Sequence, residues 1–270
     1  MPPDPTPPTP PTRRCAACLG ASLKALALSL LCAGGLHVPA APAATTLQIG
    51  DGSGARIEGS GRVVDDVRAV TGFNKVTVNG PVDVRIRAAD VERVLVRADD
   101  NIAPLVETSL LGTTLVIGLR HGASYRTRSK VEVQVQALKL DGVTLRGSGE
   151  IRVDRVDADV FEATMQGSGD INIDSLRAGT VAVAISGNGD VRAKGTAGTL
   201  GVVINGNGDV HFADLVARTV AVSINGNGDA RVHATDDLQV SIAGSGDVRF
   251  RGAPRITKAI KGSGSVEPMR

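Results

Sequence analysis

From Val143 to Val266 apolar and polar positions alternate with a period of two, and the alternation restarts after each of seven short glycine motifs. These are Gly147-Ser-Gly149-Glu150, Gly167-Ser-Gly169-Asp170, Gly187-Asn-Gly189-Asp190, Gly206-Asn-Gly208-Asp209, Gly226-Asn-Gly228-Asp229, Gly244-Ser-Gly246-Asp247 and Gly262-Ser-Gly264-Ser265. Two residues before each first glycine stand Leu145, Met165, Ile185, Ile204, Ile224, Ile242 and Ile260. Four before stand Val143, Ala163, Val183, Val202, Val222, Val240 and, as the exception, Lys258. Past the acid the apolar positions resume with Ile151, Ile171, Val191, Val210, Ala230, Val248 and Val266. Such alternation predicts strands with one buried face.

The steps between first glycines are 20, 20, 19, 20, 18 and 18 residues, a fixed period that marks a solenoid. One repeat reads as strand, tight G-x-G turn, strand and return turn. Alone it buries too few side chains to stand, whereas stacking joins its backbone and apolar face to those of its neighbours. The predicted fold is therefore all-β: a single-chain parallel β-solenoid of about seven rungs of 18–20 residues, over 141–267.

Upstream, 44–140 is β-rich without the strict period. Lys75–Asn79 and Pro81–Arg87 alternate around Asn79-Gly80, which reads as a hairpin-like turn, and Glu92–Ala98, Thr113–Leu119 and Lys130–Ala137 alternate likewise. Asp99–Val106 offers a single helical turn. This part is expected to be a lead-in β module that caps the first rung, since a bare rung exposes a strand edge to other chains.

Composition agrees with a thin stacked structure: 42% of residues are hydrophobic but only 2% aromatic. The first 43 residues read as a signal peptide, with Arg13, Arg14 and Lys24, an apolar run Ala25–Leu36, and small residues that predict cleavage after Ala43. Cys15, Cys18 and Cys32, all three cysteines, fall inside it, so the exported chain has neither disulfide nor thiolate metal site. Removing Arg13, Arg14 and Lys24 from the 30 basic residues and Asp4 from the 28 acidic ones leaves 27 of each. That balance gives no pointer to nucleic acid. No later apolar run is long enough to cross a bilayer as a helix.

The stretch Gly72–Ile86, then Val94–Ile102, then Thr114–Leu119, followed by the G-[SN]-G-[DE] ladder, resembles the head GIN domain of the putative autotransporter adhesin family, over about Gly59 to Val266. The resemblance implies an extracytoplasmic parallel β-solenoid of the bacterial envelope. An autotransporter would carry a further membrane β-barrel, and this sequence ends at Arg270, directly after the last glycine pair.

Candidate chemistry lies on two features. The acid column Glu150, Asp170, Asp190, Asp209, Asp229 and Asp247 stacks like charges at strand spacing. Asp170, Asp190, Asp209, Asp229 and Asp247 are the metal candidates, but one acid per rung supplies too few oxygens for calcium. The alternative is that backbone N–H groups and the outward Arg152, Arg192, Arg231 and Arg249 offset the charge, leaving Asp170 and Asp209 least compensated beside Asn172 and His211. His211 and His233 stand at different offsets and form no evident metal pair. The second feature is the loop 120–130, where Arg120, Tyr125, Arg126, Arg128 and Lys130 are the binding candidates for an anionic group. Glycan cleavage is the rival reading for a solenoid face, but it needs two carboxylates in different environments, and the ladder makes its acids equivalent. No catalytic residue and no cofactor is assigned. The expected role is a non-catalytic exported envelope module for adhesion or interaction, with an envelope glycan or another envelope protein as partner, in the periplasm or at the cell surface.

Overall fold

In the strand Asp170–Gly187 the inward residues come in three runs: Ile171 and Ile173, then Leu176 and Ala178, then Val181, Val183 and Ile185. The runs are separated by Asp174-Ser175 and Gly179-Thr180, pairs of consecutive exposed residues. Two outward residues in succession reset the period of two, so the chain turns a corner while remaining extended. One rung is thus a continuous strand with three inward sides. The expected return turn is replaced by these two parity breaks and by an additional side carrying Leu176 and Ala178.

The computed structural model of the protein describes residues 56–269; the expected signal peptide and its cysteines lie outside them. Successive rungs pair in parallel and in register. Ile151, Ile171, Val191, Val210, Ala230, Val248 and Val266 form one column. Leu145, Met165, Ile185, Ile204, Ile224, Ile242 and Ile260 form another. The third side contributes an alanine column, Ala158, Ala178, Ala197, Ala217 and Ala234. Phe161, Phe212 and Phe250 are buried, as their parity requires. The seven glycine corners bound six full turns of a β-solenoid. In the strand Arg255–Gly262, at the end of the stack, every residue is exposed, which accommodates Lys258 at a core position.

The corners need glycine for two reasons. Gly187 has φ +141, where side chains are strained. At Gly189 a Cβ would stand 1.9 Å from the carbonyl oxygen of Gly169 one rung below, so only a bare α-carbon permits strand spacing.

Stacking extends further back than the glycine ladder. Lys75–Asn79 pairs in parallel with Gly142–Gly147 on one side and with Thr114–Leu119 on the other. Asp83–Ala88 pairs in the same way with Glu150–Val153 and with Glu132–Ala137. The strands flanking Asn79-Gly80 do not pair with each other, so this is a rung corner and not a hairpin turn. A local reading cannot separate the two, because both place a glycine between alternating segments. Beyond these rungs the pairing becomes antiparallel: Arg93–Asp99 lies against Glu132–Ala137, Val63–Arg68 against Arg93–Asp99, and Val106–Leu111 against Thr114–Leu119. Ala103–Leu105 makes one 3-10 turn. Asp65, Asp66 and Arg68 place charge on the strand Val63–Arg68, which discourages edge pairing.

Candidate functional site

Each of the first six glycine corners delivers an acid to the same surface line. The column begins one rung earlier than the sequence motif shows, at Asp83, whose Oδ1 accepts the Glu150 N–H at 3.2 Å. Its sign in the sequence is the spacing of Asp83 from Asn79-Gly80. Further up, Oδ1 of Asp190 accepts the Asp209 N–H at 3.3 Å and Oδ1 of Asp209 the Asp229 N–H at 2.9 Å. Asp229 does the same for Asp247 at 2.9 Å, and Asp247 for Ser265 at 2.8 Å. Every such bond fixes one carboxylate oxygen on the next rung's backbone and draws negative charge toward a partial positive one.

Arginines complete part of the compensation. Arg152 Nε meets Glu150 Oε1 at 2.7 Å, and Arg192 meets Asp190 Oδ2 at 2.8 Å while standing 4.0 Å from Asp170. Asn172 donates to Glu150 one rung below at 2.9 Å. The pairs expected for Arg231 and Arg249 do not form among the described residues. Arg231 Nη1 instead donates to His211 Nδ1 at 2.9 Å. The carboxylates of Asp229 and Asp247 take the backbone donors of the next rung instead. Asp170 is the weakly compensated acid; Asp209 holds its backbone donor.

Asp190, Asp209 and His211 place their potential ligand atoms within 4.8 Å of one another, the tightest metal-like grouping among the described residues. The sequence candidates Asp170, Asp229 and Asp247 are not part of it. An arginine can only donate, so His211 Nδ1 is the acceptor of this contact. His211 Nε2 stands 3.7 Å from Asp190 Oδ2.

Beside this column runs a cavity of about 600 Å³, lined among others by Arg152, Asp174, Arg192, Lys194, His211 and Asp214. It coincides with a one-residue shortening of the outer path. Between the paired positions Ile173/Ala193 and Leu176/Gly195, one rung has Asp174-Ser175 where the next has Lys194 alone. The 19-residue step in the glycine period thus becomes a notch in the polar face. On the corners themselves, Asn207 donates to Asn188 and Asn227 to Asn207, each at 3.0 Å, and Asn225 donates to Asn205 at 3.0 Å. These amide ladders had a visible sign in the sequence, the three successive G-N-G motifs.

The loop 120–130 does not act as one cluster. Arg120 pairs with Glu107 at 3.2 Å and donates to the Pro104 carbonyl at 3.1 Å. Lys130 pairs with Glu132 at 2.9 Å. Tyr125 and Arg126 form a short strand beside Ile57–Glu58. Tyr125 is half-buried, and burial together with nearby Asp83 pushes its phenol above the ordinary range. Arg126 and Arg128 remain exposed without ion pairs among the described residues and line a second cavity, of about 710 Å³, with Asp99.

Residues 72–254 match the family described as "Putative auto-transporter adhesin, head GIN domain". Among solved structures the chain is similar to a putative adhesin of Bacteroides fragilis, at 24% identity and TM-score 0.76, over 79% of this chain and 100% of the other. A putative adhesin of Parabacteroides merdae matches at 20% identity and TM-score 0.65, over 80% and 99%. A protein of Parabacteroides distasonis described as a putative lipid binding protein matches at 23% identity and TM-score 0.66, over 80% and 100%. At these identities the likeness is one of fold. No curated protein matches.

Proposed function

Because the chain belongs to the head GIN domain family of putative auto-transporter adhesins, we propose that it is an exported, non-catalytic interaction module of the bacterial envelope. Residues 1–43 are its signal peptide, and 44–140 and 141–267 are the lead-in and repeat parts of the mature chain. The observation that carries the non-catalytic reading is the commitment of the acid column. Oxygens of Asp83, Asp190, Asp209, Asp229 and Asp247 hold the backbone of the following rung, an equivalent task in each case. Acid–base cleavage of a glycosidic bond asks for the opposite, two carboxylates in unlike environments.

The notch by Lys194 supplies the contact surface. Arg152, Arg192 and Lys194 face Asp174 and Asp214 across it, a mixed set of donors and acceptors suited to an envelope glycan or a polar protein surface. The exposed Arg126 and Arg128 add a second contact for anionic groups. The test is to display envelope glycans and solubilised envelope proteins to the purified protein and to its Lys194→Glu variant. Saturable binding that the variant loses by tenfold or more, with no release of reducing ends, supports the reading. Glycan cleavage, or recovery of the uncleaved protein in the cytoplasm, overturns it.

A further inference from the structure

Asp99, at the end of the strand Arg93–Asp99, is fully buried, the one buried charged residue among those described. Its Oδ2 accepts the Thr127 hydroxyl. Its Oδ1 has no hydrogen-bond partner among the described residues, and no lysine or arginine there reaches it. The Ser129 and Thr127 hydroxyls favour the charged form and hold this carboxyl below the ordinary range against the opposing effect of burial. An ionised carboxylate buried without a counter-ion is costly, so the arrangement has an unfilled demand for a positive donor.

The surroundings narrow what that donor is. Asp99 lies at the wall of the 710 Å³ cavity whose rim carries Glu58, Ser60, Arg126 and Arg128. A hard divalent cation needs six or more oxygens, but the adjacent Asp100 is already held by Arg62 and by the Ser60 hydroxyl. An ammonium needs few acceptors. A plain anion suits Arg126 and Arg128 but meets the Asp99 charge at close range. We propose that this cavity binds a small zwitterion, its ammonium donating to Asp99 Oδ1 and its carboxylate or phosphate held by Arg126 and Arg128. Gly59 covers Asp99 so closely that a Cβ would stand 2.1 Å from Oδ2. The ammonium therefore reaches Oδ1 by displacing the Gly59-Ser60-Gly61 loop, which breaks the Ser60 N–H bond to Asn101 and the Ser60 hydroxyl bond to Asp100.

The test titrates the full-length protein with glycine, β-alanine, 4-aminobutanoate and 5-aminopentanoate, and with the alkanoate and alkylamine of each length. Calorimetry and the melting temperature give the readouts. At least one zwitterion is expected to bind saturably, tenfold or more tighter than its matched amine and its matched carboxylate. Asp99→Asn and the double variant Arg126→Gln/Arg128→Gln each lower that affinity at least tenfold. If Asp99→Asn fails to fold, the double variant decides, since its side chains are exposed. Absence of saturable binding, equal binding of the matched amine or carboxylate, or affinity unchanged in the double variant overturns the proposal.

Discussion

The backbone N–H of Asp229 donates to Oδ1 of Asp209 one rung below, at 2.9 Å, and the same bond links Asp247 to Asp229. A line of acids that a local reading sees as stacked repulsion is, in the fold, a line of backbone acceptors. Asp229→Ala strands the Asp247 N–H and is expected to cost about 1 kcal/mol. Asp229→Asn retains an acceptor oxygen and should cost much less. Melting temperatures of the two variants check the difference. The same account predicts that a chelator leaves the wild-type melting temperature unchanged; a large loss restored by calcium but not magnesium would count against it.

A corner glycine and a mid-strand glycine differ in what they permit. At Gly189 a Cβ would also stand 2.3 Å from Met165 Sδ, whereas at Gly201 the nearest atom is the Val181 carbonyl oxygen at 3.9 Å. Gly189→Ala is expected to lose about 3 kcal/mol or prevent folding, because backbone cannot move aside. Gly201→Ala should be neutral or slightly stabilising, since alanine restricts the unfolded chain. Chemical denaturation of the pair measures both.

Parity gives a third outcome. Val222 and Ile224 are buried at 3% and 0% exposure, and Ser223 between them faces outward. Val222→Asp or Ile224→Asp puts an unpaired charge into columns shared by neighbouring rungs and should abolish cooperative folding. Ser223→Asp should shift the melting temperature by only a few degrees. Circular dichroism on all three variants is the check.

Glu132 supplies a pH dependence. Burial raises its carboxyl, but the bonded Lys130, with Arg85 and Gln134, outweighs it and leaves the group below the ordinary glutamate range. A depressed folded-state pKa gives stability that is fully present above the unfolded value and is lost as pH falls through the folded one. Lys130→Met removes the main opposing partner. The part of the acid-induced loss of stability that Glu132 contributes should therefore shrink in the variant, which is less stable than the wild type at neutral pH and approaches it as pH falls. Melting curves from neutral to acid conditions measure it.

What the sequence determined by itself was everything whose cause repeats within about twenty residues. The G-x-G period, the Ile224 and Val222 columns and the acid position all follow from parity around a corner, and stacking then places equivalent residues in register. It showed the polar notch only as a 19-residue step and the amide ladders only as repeated asparagines. The three-sided rung escaped because a parity break of two exposed residues looks like an ordinary turn. Tertiary structure alone decided which donor each acceptor meets. Arg231 meets His211, 20 positions away, and not Asp229, two positions away. Asp99 became buried because segments 28 and 40 positions away, through Thr127 and Gly59, close over it. A single sequence records the identities of such residues, but their partners are set by contacts between distant segments.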